Sequence, residues 1–334
     1  MFRLTLTALA ATSFLAACGG GGGGSSVNAS TASPLAITSA NYDAAGVEAV
    51  SSSFYLTSSS SLATGVEGQA ETGMDTLINF GKSQIPSLGK WVSSAGALPT
   101  GVTESFTENC PGGGTLTGSA TVAVAGTLSA QDSVNLSGSN CVLNDGSIIS
   151  GALNFRINSL IGDYAHSNFY TINITLTYNN LTSGTAARTV TGNGDITLAT
   201  VAAGVNYDDT TISSSSFTAT ANYSGTTYSR SLANYLATIS VRPNGAGYIA
   251  TTSISGMIAS SALGGNRITI ATVAPFVRIS PNLYPGSGQA TATGSGLSKV
   301  LMTVQNTSSV RLELDADGNG IYETSKIKTW ASLI

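Results

Sequence analysis

The sequence has few charged residues and only one histidine. Charged side chains make up 9% of the 334 residues, against about 25% in an average soluble domain. The 13 basic and 17 acidic residues leave a net charge of -4, and no cluster of Lys or Arg is available to neutralise phosphates. These features exclude nucleic acid as a partner. Because 42% of the residues are apolar and the net charge is low, a buried core is expected instead of disorder.

The motifs of the common catalytic sites are also missing from the sequence. It contains no Gly-x-Ser-x-Gly turn, no His-Glu-x-x-His helix and no phosphate-binding loop. A serine nucleophile would need His166 as its base, and His166 lies in a polar stretch typical of a solvated loop. The pair Asp208-Asp209 is typical of a solvated turn. We therefore predict that the protein is not an enzyme, with a hydrolase that uses His166 as the alternative.

The first eighteen residues have the pattern of an export signal. Arg3 precedes an apolar run over residues 4–17 that is too short to span a bilayer, so residues 1–17 are interpreted as a signal peptide. The sequence Leu15-Ala16-Ala17-Cys18 resembles the lipobox of bacterial lipoproteins, which implies a palmitate-type anchor on Cys18. Gly19 after the cysteine implies the outer membrane, by resemblance to lipoprotein sorting signals. An ordinary signal peptide with an incidental cysteine is the alternative.

Two different patterns follow the cysteine. Residues 18–36 begin with six glycines after Cys18 and continue with Ser, Asn, Thr and Ala, a composition that predicts a flexible tether. Residues 37–102 are predicted to form a helical segment packed on the rest of the chain. One helix is expected over about 39–56, capped by Ser39 or Asn41, and a second over about 71–82.

From Thr103 onward, apolar and polar residues alternate. Ile172, Ile174 and Leu176, for example, alternate with Asn and Thr residues, as in a strand with one buried face. Turn residues such as Asn193-Gly194 separate the apolar runs. Since no crossover helices intervene, residues 103–334 are predicted to form an antiparallel β domain of about ten to twelve strands. The predicted fold is mainly β, an antiparallel sandwich or a curved half-barrel with a short N-terminal helical pair.

Two cysteines remain once Cys18 is assigned to lipid. In an exported chain, Cys110 and Cys141 are predicted to form a disulfide. Two cysteines so far apart do not make a metal site. The helical segment, the two cysteines and the Thr-rich strands together resemble uncharacterised β-rich lipoproteins of Gram-negative bacteria. This resemblance implies a location in the cell envelope and brings no activity with it.

One acidic loop has recognisable site chemistry. Calcium prefers six to eight oxygen ligands, and a tight loop offers them at alternate positions with glycine at the sixth. The loop resembles the calcium loops of EF-hands and dockerin modules, which implies a weak calcium site. Its ligands would be Asp315, Asp317, Asn319, the carbonyl of Ile321, and Glu323. Because the twelfth position is Lys326 and the flanking residues alternate like strands, a hairpin turn without an ion is the alternative.

These observations predict a lipid-anchored cell-envelope β protein that acts as a non-enzymatic binding, adhesive or structural module. Its membrane contact would be the lipid anchor, and its Ser-, Thr- and Asn-rich faces suit a protein or a glycan. No cofactor is required, calcium aside. The alternative is a periplasmic carrier of an apolar, lipid-like ligand held by a curved sheet. The sequence leaves open the ligand, the oligomeric state and the face of the outer membrane.

Overall fold

Fourteen strands follow one another along the chain, and each strand pairs antiparallel with the next. The computed structural model describes residues 27–58, 77, 78, 81, 103–123, 128–144, 146–164, 167–185, 187–223 and 225–333. The strands are β1 (Thr103–Asn109), β2 (Thr115–Thr121), β3 (Ser133–Val142), β4 (Ile148–Gly162), β5 (Phe169–Thr185), β6 (Arg188–Ala203), β7 (Asp208–Tyr223), β8 (Thr226–Asn244), β9 (Gly247–Ser260), β10 (Arg267–Ile279), β11 (Ser287–Thr293), β12 (Lys299–Asn306), β13 (Ser309–Asp315) and β14 (Thr324–Thr329).

The predicted mainly β, antiparallel class is confirmed, with a larger number of strands than the ten to twelve expected. All fourteen strands belong to one open sheet, so of the two expected arrangements the two-sheet sandwich does not form. The alternation of the sequence gives the sheet two unlike faces. The inner face carries buried apolar side chains such as Leu153, Leu176 and Ile212, and the outer face carries mostly Thr, Ser and Asn.

One helix, α1 (Tyr42–Ser58), covers part of the inner face. It contacts strands β8 to β13, and its Ala45, Ala49 and Val50 are buried in the same apolar core as the strands. The helix begins three residues later than predicted. Asn41, just before it, accepts a hydrogen bond from the Thr38 N–H at 2.8 Å. Of the second predicted helix only Leu77, Ile78 and Gly81 are described, and these residues are helical.

A series of β-bulges crosses the sheet from β3 to β9. The pairing register shifts in β3–β4, β4–β5, β5–β6, β6–β7 and β8–β9, and bulges bend strands and increase their twist. The residues Asn193-Gly194, predicted to be a turn, instead lie inside β6 at one of these shifts. Gly194 has φ +113°, and a Cβ atom there would lie 2.1 Å from the Ser216 carbonyl oxygen. Only glycine fits this position.

Residues 27–37 form a strap that runs along the outer face of β8–β10 and then around the end of the sheet to α1. Ala29 is buried against Ala233 and Ala259, and its N–H donates to Ser231 Oγ at 3.1 Å. Further along, Pro34 forms a parallel bridge with Arg267. Residues 27–36 were assigned to the predicted tether on composition. In the structure this part of the tether packs on the sheet, which leaves eight residues between Cys18 and Val27.

The disulfide between Cys110 and Cys141 is formed, as predicted. It joins the turn after β1 to β3, so it fastens the first hairpin of the sheet to its neighbour. Among the described residues, no helix is long and apolar enough to cross a membrane.

Candidate calcium-binding loop

The acidic loop connects the last two strands of the sheet. β13 ends at Asp315 and β14 begins at Thr324, so the flanks form a hairpin of strands, as the alternation of the sequence predicted. Leu312 and Leu314 hold β13 in the core. At the other end of the loop the Glu323 N–H donates to the Leu314 carbonyl at 2.9 Å. Both ends of the loop are therefore fixed by the sheet.

This hairpin brings three of the predicted ligands together. One carboxylate oxygen each from Asp315, Asp317 and Glu323 lies within 4.8 Å of the others. Asn319 adjoins the cluster, because its side-chain N–H donates to Asp317 Oδ2 at 2.9 Å. The Ile321 N–H donates to Asn319 Oδ1 at 2.7 Å, which fixes the Asn319 amide group. The three carboxylates thus converge as predicted, whereas Asn319 presents its N–H group to Asp317 and Ile321 is connected through its N–H and not through the predicted carbonyl.

Asp315 is the buried member of the group and has an exposed fraction of 0%. Its Oδ2 accepts hydrogen bonds from the Gly320 N–H at 3.0 Å and from Lys299 Nζ at 3.1 Å. Its Oδ1 is buried and accepts no hydrogen bond from any described residue. Burial disfavours the charged form of this carboxyl group, but Lys299 and the backbone N–H groups of Gly320 and Gly318 together hold the pKa of Asp315 below its ordinary value of 3.8.

The loop glycines allow the sharp turn. Gly318 has φ +75° and Gly320 has φ +89°, values that side chains other than glycine rarely adopt. Gly320 occupies the sixth position of the loop, where a calcium loop needs its turn. The same conformations serve a hairpin without an ion, so glycine geometry alone does not distinguish the two interpretations.

Two lysines near the loop have different roles. Lys326, at the twelfth position, points to Asp43 at the start of α1, with Nζ 2.8 Å from Asp43 Oδ2. Lys299 lies beside Asp315 because β12 and β13 pair these two residues directly. Sequence reasoning missed Lys299, since the contact depends on the register of two strands and leaves no spacing motif.

The other candidate site residues of the sequence either lie away from this loop or are not among the residues that the structure describes. Cys18 and His166 lie outside the described residues. Asp208 and Asp209 begin strand β7 and are not a solvated turn. Asp209 makes a two-oxygen ion pair with Arg242 at 2.8 and 2.9 Å. Burial, together with the neighbouring Asp209, raises the pKa of Asp208.

The outer face of the sheet presents a second surface of interest, made of polar side chains paired across neighbouring strands. Hydroxyl groups join β5 to β6 through Thr175 and Thr197 at 3.0 Å. Similar pairs occur from β1 to β12. They are Thr103–Thr121, Asn135–Asn154, Asn158–Asn173, Thr182–Thr191, Asp195–Ser215 and Gln289–Thr303. The pair Thr218–Ser231 lies beneath the strap, where Ser231 is buried. Such pairs fix the positions of many exposed or half-buried donors and acceptors.

The chain was compared with protein-family models, with curated proteins and with solved structures, and none of the three comparisons finds a match.

Proposed function

We propose that the protein is a lipid-anchored, non-enzymatic module of the cell envelope that binds a polar partner through the outer face of its sheet. The observation that carries this proposal is a difference between the two faces of the sheet, of which one packs against the helix and the other presents polar groups. Part of the inner face is covered by the chain's own helix, whereas the outer face presents cross-strand pairs of hydroxyl and amide groups on β1 to β7 and on β11 and β12. A surface of fixed hydrogen-bonding groups suits a glycan or a polar protein surface.

The anchoring part of the proposal rests on the first residues of the chain. The lipobox-like sequence at 15–18 provides the acylation site, and the disulfide Cys110–Cys141 is typical of exported proteins. The strap supports it as well, because Val27 lies on the outer face only nine positions after Cys18. Nine residue steps span at most about 32 Å, so an acylated Cys18 would keep the domain close to the membrane.

The alternative function, a carrier of an apolar ligand, receives less support. A carried lipid would need the inner face of the sheet. Within the described residues, α1, Leu77 and Ile78 are themselves buried on that face. The polar outer face has no role in a carrier, whereas it is the working surface of the proposed module.

Two measurements test the lipid anchor and the choice between a binding module and a lipid carrier. In cells that express the full chain, metabolic labelling with palmitate is expected to mark the wild-type protein and not the Cys18→Ala variant. A native mass spectrum of the protein, released from the membrane in detergent, is expected to show the acylated chain without a further lipid-sized mass.

Each measurement can contradict a different part of the proposal. A Cys18→Ala variant that is labelled like the wild type contradicts the lipid anchor at this residue. A bound lipid-sized mass that persists in the Cys18→Ala variant contradicts the binding module and favours the carrier. A Ser58→Ala variant is a suitable labelling control, since it changes a serine far from the lipobox in the sequence.

A further inference from the structure

We propose that the β13–β14 loop is a calcium site, with Asp315 as its buried ligand and Asp317 and Glu323 as its exposed ones. This inference does not depend on the lipid anchor or on the outer face. It rests on three observations in the loop: the convergence of three carboxylates, an unsatisfied buried oxygen atom, and the net charge of the cluster.

The unsatisfied atom is Oδ1 of Asp315. This carboxylate is one of the three whose oxygens lie within 4.8 Å of one another, and its Oδ1 is buried and accepts no hydrogen bond of ordinary geometry from the described residues, although the Gly318 N–H lies near the carboxylate. A buried charged oxygen without a partner costs free energy. The second oxygen, Oδ2, is held by the Gly320 N–H and by Lys299. A cation at Oδ1 would satisfy the remaining oxygen without disturbing these contacts.

The charge of the cluster matches a divalent cation. Three carboxylates contribute -3 and Lys299 contributes +1, so the four groups sum to -2. Since Lys299 neutralises only one carboxylate, Asp317 and Glu323 keep charges that no described Lys or Arg pairs with. A divalent ion would bring the sum to zero.

The chemistry of the ligands favours calcium over other divalent ions. The three converging side chains all offer carboxylate oxygens as ligands, and hard oxygen ligands suit calcium and magnesium. The loop is an exposed turn whose ligands come from one short segment, and calcium tolerates irregular geometry better than magnesium does. Because no carboxylate stands at the twelfth position, the affinity is expected to lie in the range of extracellular modules, with a Kd of about 10⁻⁴ to 10⁻³ M.

The test uses the complete exported chain in detergent, freed of metal with a chelator, given terbium at a concentration below the terbium dissociation constant, and then titrated with calcium. Tyr322 is next to Glu323 in the loop and is placed to sensitise terbium luminescence. The expected result is a luminescence signal that calcium removes with half-displacement in the submillimolar to millimolar range, and that magnesium removes only at concentrations at least tenfold higher.

Three variants assign the signal to the loop. Asp317→Asn changes an exposed ligand and leaves the buried Asp315–Lys299 pair intact, and it is expected to weaken calcium binding at least tenfold. Lys299→Met removes a positive charge 3.1 Å from a ligand oxygen and is expected to strengthen binding several-fold. The control Asp195→Asn alters a carboxylate on β6 that is bonded to Ser215 and is expected to bind calcium like the wild type.

The proposal is overturned if calcium at about 10⁻² M, well above the expected Kd, does not displace terbium from the wild-type chain. It is also overturned if Asp317→Asn binds calcium as tightly as the Asp195→Asn control. A weaker affinity in Lys299→Met would contradict the charge argument, provided that circular dichroism shows the variant folded. None of these results bears on palmitate labelling at Cys18, so this proposal and the proposed function can fail independently.

Discussion

A single added methyl group at Gly194 is expected to destabilise the middle of the sheet. The residue has φ +113°, and the new Cβ would lie 2.1 Å from a carbonyl oxygen of β7. Gly194→Ala should lower the free energy of unfolding by about 2 kcal/mol or more, since backbone strain costs about 1–3 kcal/mol and the close contact adds to it. Urea unfolding followed by circular dichroism measures this change.

Gly245→Ala provides the matched control. Gly245 also has a positive φ, +58°, but nothing lies within 4 Å of its added Cβ. Gly245→Ala should lower the free energy of unfolding by about 1 kcal/mol, because an alanine at this position has an unfavourable positive φ and no close contact. Equal losses in the two variants would mean that the close approach of β7 to Gly194 contributes nothing.

The carboxyl group of Asp43 links stability to pH. Burial raises its pKa, but the ammonium groups of Lys326 and Lys328, at 2.8 and 2.9 Å, outweigh burial and hold the pKa below the ordinary value of 3.8. A carboxyl group with a lowered folded-state pKa stabilises the protein above its unfolded-state pKa, and this contribution is lost as the pH falls through the folded-state value.

Asp43→Asn is therefore expected to be less stable than the wild type at neutral pH, by no more than about 1 kcal/mol because the ion pair is partly exposed. The difference should vanish well below pH 3.8. Thermal melts of both proteins at neutral pH and at about pH 2 check this. A difference that stays constant with pH would contradict an electrostatic role for Asp43.

At the scale of elements, the docking of α1 depends on a buried ion pair. Arg230 of β8 lies 2.9 Å from Glu48 of α1, and both side chains are only 6% exposed. Arg230 also donates to Ser51 Oγ at 2.9 Å. Glu48→Leu leaves the guanidinium group buried without its carboxylate and is expected to cost about 3–5 kcal/mol, measured by urea unfolding.

The double variant Glu48→Leu with Arg230→Met distinguishes the free-energy cost of an uncompensated buried charge from a loss of helix packing. Replacing both charges by apolar side chains of similar size removes the uncompensated charge, so most of the lost stability should return. If the double variant is as unstable as Glu48→Leu alone, the loss comes from packing of the helix and not from the buried charge.

Elements with one apolar face could be predicted from the sequence, and elements placed by tertiary contacts could not. Strands such as β5 alternate clearly because their outer face is Thr and Asn. The hairpin β13–β14 and its acidic cluster followed from the same alternation and from the spacing of Asp315, Asp317 and Glu323. Asn193-Gly194 was misinterpreted because Asn and Gly adopt positive φ in bulges as well as in turns. The contact of Lys299 with Asp315 could not be predicted, because it depends on the register between β12 and β13.

At the scale of the whole molecule, the amino-acid composition does not predict that the strap packs on the sheet. Residues 27–36 are rich in small polar residues and resemble a linker, yet Ala29 is fully buried between Ala233 and Ala259. Small side chains are what allow the strap to lie flat on the sheet. The pattern of the sequence shows the same small residues in the tether and in the strap, so it does not mark the boundary between them.

Ala29→Asp is expected to release the strap from the sheet. A carboxylate placed between Ala233 and Ala259 would be buried without a partner, which is costly. Limited proteolysis should then cleave the chain within residues 27–37 while the β domain resists. Thr31→Asp puts the same charge on an exposed residue of the strap and should resist like the wild type. Equal cleavage of both variants would show that contact at Ala29 does not hold the strap.

The strap also determines how the molecule responds to force. Tension on the chain ahead of Val27 reaches the contacts of Ala29 and Ser30 with Ser231 and Arg267 first. The next contacts to bear load are the parallel bridge between Pro34 and Arg267 and the hydrogen bonds of Leu35 and Ile37 with Ser295 and Ser298, and α1 is reached only after these have yielded. A pull from the N-terminal side would therefore load the strap contacts on the outer surface of the sheet before it loads α1.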